Sequence, residues 1–178
     1  MKNLTFAIGL CAMLTACGGG SDSITQQHIV LIGDSIFGLM EAPKYFPEYR
    51  VTNAGVNGQT TRQIFFRFQS ILDQKPDIIV IDGGTNDLTE GNASADYMRS
   101  MILSAKSSGS KVVVVGVYKM PWLEPALSKW NADVKRSCET WGVPYIDNSE
   151  IDSGLKEDRV HPSDAGYVVL AQNIKGAL

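Results

Sequence analysis

Asp77-Ile78-Ile79-Val80-Ile81-Asp82-Gly83-Gly84-Thr85-Asn86-Asp87 is the stretch on which the fold turns. Its four branched aliphatics run without a polar interruption, the pattern of a strand covered on both faces, and a glycine-rich turn follows at once. Val112-Val113-Val114-Val115 repeats the pattern inside a strand expected over 111–117. Further strands are expected over 28–32, 51–54 and 77–81, with a weaker one over 144–147. Between them, 60–74, 94–107, 124–141 and 163–177 have helical length and spacing, and Ile64, Phe68, Ile71 and Leu72 fall on one face of the first. Strands alternating with helices imply parallel strands joined by right-handed crossovers. The expectation is an α/β fold, a three-layer α/β/α sandwich around a flavodoxin-like parallel sheet of about five strands in the order 2-1-3-4-5.

In such sheets the ligand sits beyond the carboxyl ends of the strands, where the strand order reverses. Three turns belong to that edge: Gly33-Asp34-Ser35, Gly55-Val56-Asn57-Gly58-Gln59 and Gly83-Gly84-Thr85-Asn86-Asp87. Their glycines permit tight turns and leave N–H groups open to a ligand. Ser35 lies in the central turn. A hydroxyl is a poor nucleophile until a base takes its proton, and an imidazole held by a carboxylate is the usual base at neutral pH. His161, in Asp158-Arg159-Val160-His161-Pro162, supplies the imidazole. His28, at the start of the first strand and at the opposite edge from the site, reads as a surface histidine. A serine after a strand can also simply cap the next helix, and Ser163 reads as the cap of the last one. Asp34 and Asp87 read as braces of their turns.

The first 16 residues read as an export signal: Lys2, an apolar run from Leu4 to Leu14, then Leu14-Thr15-Ala16-Cys17. The run is shorter than the roughly 20 residues that a bilayer-spanning helix needs. The tetrapeptide resembles a bacterial lipobox, which implies a lipid on Cys17, a flexible tether over 17–26 and a folded domain over 27–178. An ordinary secretory signal cut nearby is the alternative. Either places the protein in the cell envelope or beyond it, and Gly18 after Cys17 directs the lipobox reading to the periplasmic face of the outer membrane. Without its first 16 residues the chain keeps 162, enough for one domain, with 15 Lys and Arg against 19 Asp and Glu. That mildly acidic balance argues against nucleic acid as a partner. Cys138 then remains as a lone thiol, a small filler on a helix. Two histidines and no Cys or His cluster give a metal site little to build on. There is no P-loop, no dinucleotide fingerprint and no Gly-x-Ser-x-Gly elbow, so no cofactor is implied and the α/β-hydrolase fold is disfavoured.

Four blocks carry a family resemblance: Gly33-Asp34-Ser35-Ile36, Asn53-Ala54-Gly55-Val56-Asn57-Gly58, Gly84-Thr85-Asn86-Asp87 and Asp158-Arg159-Val160-His161-Pro162. In this order and spacing they resemble the SGNH hydrolases of the GDSL esterase and lipase superfamily, most of all the compact lysophospholipase, thioesterase and arylesterase type. Ile36 replaces the usual leucine, and Arg159 stands where a glycine is common. The resemblance implies Ser35 as nucleophile, His161 as general base and then acid, and Asp158 as the carboxylate behind the imidazole. It implies an oxyanion hole made by the N–H of Ser35, the N–H of Gly58 in preference to Gly55, and the side-chain amide of Asn86.

Substrate is less legible. Met120, Trp122 and Leu123 follow the fourth strand on the ligand side, and Phe37, Leu39 and Met40 follow Ser35. Phe37, Met120 and Trp122 are candidate walls of an acyl pocket, yet core edges use the same residue types. An acyl pocket suits lysophospholipid, medium-chain or aryl esters or thioesters; a shallow site suits acetyl groups on envelope polysaccharide. The expected partners are therefore a small or lipid ester and, through the anchor, a membrane, and the protein is expected to be a monomer. An esterase leads, an acyltransferase using the same acyl-enzyme comes second, and a non-catalytic envelope binding protein third.

Overall fold

A computed structural model describes residues 26–92, 94–148 and 154–178. The expected signal, Cys17 and the tether up to Thr25 lie outside the described residues. Strands β1 (His28–Gly33), β2 (Arg50–Gly55), β3 (Ile78–Ile81), β4 (Lys111–Val115) and β5 (Tyr145–Ile146) form one sheet in the order β2-β1-β3-β4-β5. Every neighbouring pair is parallel, with Ile29 opposite both Val51 and Ile78. The helices are α1 (Ser35–Gly38), α2 (Ala42–Tyr45), α3 (Thr61–Leu72), α4 (Thr85–Thr89), α5 (Asp96–Ser107), α6 (Ala126–Trp141) and α7 (Asp164–Gly176). Fold class and strand order match the expectation.

The unbroken apolar strands feed two cores at once because successive side chains point to opposite faces. Val30, Ile32, Ile79, Ile81, Val112 and Val114 pack with Ile64 and Phe68 of α3, Met98 and Ile102 of α5, and Trp130 and Val134 of α6. Ile29, Leu31, Ile78, Val80, Val113 and Val115 face the other way, onto Ile36 and Phe37 of α1 and Tyr167, Leu170 and Ile174 of α7. Each such buried aliphatic or aromatic side chain contributes about 1.5–3 kcal/mol from burial.

Three details depart from the sequence reading. The fourth strand stops at Val115 rather than 117, because the N–H and C=O of Val117 turn to the side-chain amide of Asn131 on α6, at 3.0 and 2.9 Å. The helix expected from 124 begins at Ala126, after a 3₁₀ turn over Pro121–Leu123. His28 is not a surface residue: it opens β1 with 3 % exposure, pairs in register with Arg50, and hydrogen-bonds through Nε2 to Thr52 Oγ1 at 2.8 Å. Cys138 is buried on α6, where desolvation raises its thiol to about 12.

Candidate active site

The site forms at the carboxyl edge of the sheet. β1 ends at Gly33, and Asp34 caps α1 by accepting the N–H of Ile36 on Oδ1 at 2.9 Å. This places Ser35 on the first residue of α1, 7 % exposed, in the turn whose N–H groups have no partner within the helix. The chain reaches Ser35 again 126 residues later. His161 Nε2 lies 2.9 Å from Ser35 Oγ, and His161 Nδ1 lies 2.7 Å from Asp158 Oδ2. A carboxylate only accepts, so Nδ1 carries the hydrogen, and in the neutral ring Nε2 is left to accept the serine proton.

Asp158 is further committed, because its Oδ1 accepts the N–H groups of Val160 and His161, both at 2.9 Å. The ring of His161 and these two amides hold the carboxyl down at about 2. Arg159 adopts φ +57° within this turn, the left-handed conformation for which a glycine would be the ordinary choice. Ser163 caps α7 as expected, accepting Gly166 N–H at 3.3 Å.

The second block places its two glycines differently. Gly55 ends β2 against α1, where a Cβ would stand 2.2 Å from Gly38 N, and its own N–H goes to Asn53 Oδ1 at 3.0 Å. Gly58 is exposed at φ +76°, with nothing within 4 Å of where a Cβ would be. Asn86, on the first turn of α4, donates from Nδ2 to Gln59 O at 2.9 Å and to Asp34 Oδ2 at a long 3.4 Å. Asp87, as expected of a brace, ties α4 to α3 by accepting Thr61 N–H at 2.8 Å and Thr61 Oγ1–H at 2.7 Å.

Of the three candidate pocket residues, the structure seats two in the cores. Phe37 is fully buried in the core layer that includes α7, and Met120 is 1 % exposed in the core layer that includes Trp130. Trp122 is 54 % exposed, and Leu39 and Val56 are each 42 % exposed. A cleft lined by Thr60, Arg62, Gln63, Phe66, Glu90 and Asn92 opens one residue beyond Gln59, and Phe66 stands 69 % exposed in it.

Three residues at this edge escaped the sequence reading. Asn53 Nδ2 donates to Phe37 O at 2.7 Å and Met40 O at 3.0 Å, clamping the end of α1. Arg67 fans out to Gln59 Oε1, Ala54 O and Gly33 O at 2.6, 2.7 and 2.9 Å, tying the ends of β1 and β2 to the following loop. Asp82 follows β3 with 2 % exposure. An acid directly after four branched aliphatics is the one signal that pointed to it.

The sequence profile of the GDSL-like lipase/acylhydrolase family matches residues 22–169. The esterase TesA of Pseudomonas aeruginosa is 29 % identical over 137 residues, covering 71 % of this chain and 68 % of that protein. An acetylxylan esterase of Geobacillus stearothermophilus is 26 % identical over 167 residues, covering 77 % and 75 %. Among solved structures, a GDSL-like lipase from Bacteroides thetaiotaomicron VPI-5482 superposes with a TM-score of 0.73 at 24 % identity, over 85 % of this chain and 87 % of that one.

Proposed function

The chain belongs to the GDSL-like lipase/acylhydrolase family, a family of ester-hydrolysing enzymes, and from that premise we propose that it is a serine esterase working through an acyl-enzyme on Ser35. The observation that carries this reading is the continuous relay Ser35 Oγ, His161 Nε2, His161 Nδ1, Asp158 Oδ2, with links of 2.9 and 2.7 Å. Ser35 Oγ attacks the ester carbonyl carbon while its proton passes to His161 Nε2. Asp158 stabilises the imidazolium that forms. The intermediate collapses as His161 returns the proton to the departing alcohol oxygen, and water repeats the sequence to release the acid.

The N–H groups of Ser35 and Gly58 and the Nδ2 of Asn86 receive the oxyanion. Gly58 is favoured because the N–H of Gly55 is already taken by Asn53. The long contact of Asn86 to Asp34 leaves one hydrogen of Nδ2 weakly held and able to turn to the intermediate.

Leu39, Val56 and Trp122, exposed on the loops that follow β1, β2 and β4, suit the acyl part of a lysophospholipid, a medium-chain ester or an aryl ester. A second reading, deacetylation of an envelope polysaccharide, is favoured by the polar cleft beside Gln59 with its exposed Phe66. The envelope assignment rests on the sequence alone: residues 1–16 as a signal, Cys17 as the lipid anchor, 17–26 as the tether and 27–178 as the enzyme domain. None of the described helices is long and apolar enough to cross a membrane.

Turnover of aryl esters of graded chain length by wild type and Ser35→Ala, beside labelling with a fluorophosphonate probe, tests the reading. Wild type labels on Ser35 and hydrolyses, and Ser35→Ala does neither. A wild type that resists the probe removes the nucleophile assignment. Product analysis with an added alcohol separates transfer from hydrolysis, and a binding protein would keep its ligand in Ser35→Ala with no turnover in either form.

A further inference from the structure

Behind Ser35 lie two acids for which the relay has no use. Asp34 is fully buried at the end of β1, and Asp82, 2 % exposed, follows the neighbouring strand β3. They can meet because position 33 is glycine: a Cβ there would stand 2.9 Å from both Cβ and Oδ2 of Asp82. The two carboxyl groups are within hydrogen-bonding reach of each other. Asp82 Oδ2 is buried and accepts no hydrogen bond from the described residues, as suits an oxygen that carries a hydrogen. Two buried carboxyl groups in contact cannot both ionise, so the pair keeps one proton.

The proton belongs on Asp82. Burial lifts Asp82 well above the usual carboxylate range, and the charge of Asp34 and the hydrogen bond between the two carboxyl groups add to the rise, against the N–H groups of Asp34 and Gly83, which lower it without reversing it. Asp34 is also raised by burial, but the N–H of Ile36, the hydrogen bond from Asp82 and the charge of His161 oppose it, while Asp87 works the other way. Among the described residues the remaining ionisable groups facing the pair are the phenols of Tyr118, after β4, and Tyr167, on α7, both raised by burial. Arg67 reaches the adjoining Gly33 carbonyl from α3.

We propose that Asp82 is a positioning residue: it donates its proton to Asp34 and so locks the carboxylate that caps Ile36 on one oxygen and faces Asn86 on the other. Rotation of that carboxylate would loosen the turn that aims Ser35 and would shift the amide offered to the oxyanion. The positioning role rests on the reading of Ser35 and Asn86 given above; the shared proton does not. When Asp82 ionises as pH rises the lock opens, the pair carries two charges, and turnover falls.

The full-length protein tests this with Asp82→Val, which removes the donor, and Asp82→Asn, which keeps a donor that cannot ionise. Asp82→Val, checked for fold by circular dichroism, lowers kcat for an aryl ester by about 10–100-fold with KM little changed. Asp82→Asn recovers most of that loss and lacks the fall in kcat/KM that ionisation of Asp82 brings as pH rises. Infrared difference spectra at neutral pH contain the carbonyl band of a protonated carboxylic acid in wild type and lose it in Asp82→Asn. Absence of that band overturns the proposal, as does a kcat for Asp82→Val equal to wild type, or an Asp82→Asn as impaired as Asp82→Val. If the band is present but the probe does not label Ser35, the nucleophile reading fails and the positioning role fails with it.

Discussion

Arg159 holds a left-handed backbone conformation that costs an L side chain about 1–2 kcal/mol relative to the right-handed one. The turn tolerates this because it is fixed from both sides: Arg159 N–H goes to Lys156 O at 2.9 Å, and Asp158 Oδ1 holds the next two amides. Arg159→Gly relieves the strain but frees the unfolded chain, so stability should stay level or rise by up to about 1 kcal/mol in urea unfolding, with kcat preserved. The neighbouring Asp158 answers to pH. Its carboxyl is depressed to about 2 in the fold, so the stability it lends is complete above the ordinary value of 3.8 and fades only as pH falls towards 2. Protonation of Asp158 will therefore not account for a loss of kcat/KM between neutral pH and pH 4. Asp158→Asn should lower kcat by roughly 10³–10⁴-fold at the plateau, read as kcat/KM against pH.

Two elements meet at Gly55, where β2 lies against the backbone of α1 with no room for a methyl group. Gly55→Ala must push α1 away from its strand, at a cost of about 1–3 kcal/mol of stability, and the same displacement moves Ser35 from His161. Urea unfolding and kcat will therefore fall together, whereas Gly58→Ala, with open space around its Cβ, should spare the sheet and tell mainly on kcat. At this scale the sequence was legible wherever periodicity was strong. Ile78 to Ile81 and Val112 to Val115 could only be strands buried on two faces, and Ile64, Phe68 and Ile71 could only turn inward together. The three short helices α1, α2 and α4 were not legible, because four or five residues make barely one turn and show no period. The pocket was illegible for a different reason: Phe37, Met120 and Trp122 are chemically alike, and only the packing separates two core residues from one exposed ring. His28 was misread because a polar residue at a strand end gives no hint that Thr52 and Arg50 of the next strand enclose it.

For the molecule as a whole, His28 links stability to acidity far from the site. Burial, with help from the Arg50 charge, lowers its pKa in the fold below the ordinary 6.5, so the unfolded chain takes up the proton first. Stability should fall as pH drops below 6.5, and His28→Gln should flatten that fall in melting temperatures measured across the range. The proposed attachment to the envelope is tested separately: a fatty-acid analogue should label the wild type, and Cys17→Ser should leave the protein unlabelled and released from membranes, with aryl-ester turnover unchanged. The contact between Gly55 and Gly38 has one further consequence. On the proposed mechanism the direction of attack is set by main chain pressed on main chain, with Asn53 as a rivet, while the exposed Leu39, Val56 and Trp122 are ordinary loop side chains. Under that proposal aim and appetite are built from separate parts, so such a scaffold can change the ester it accepts by exchanging its rim and keep its shot unaltered.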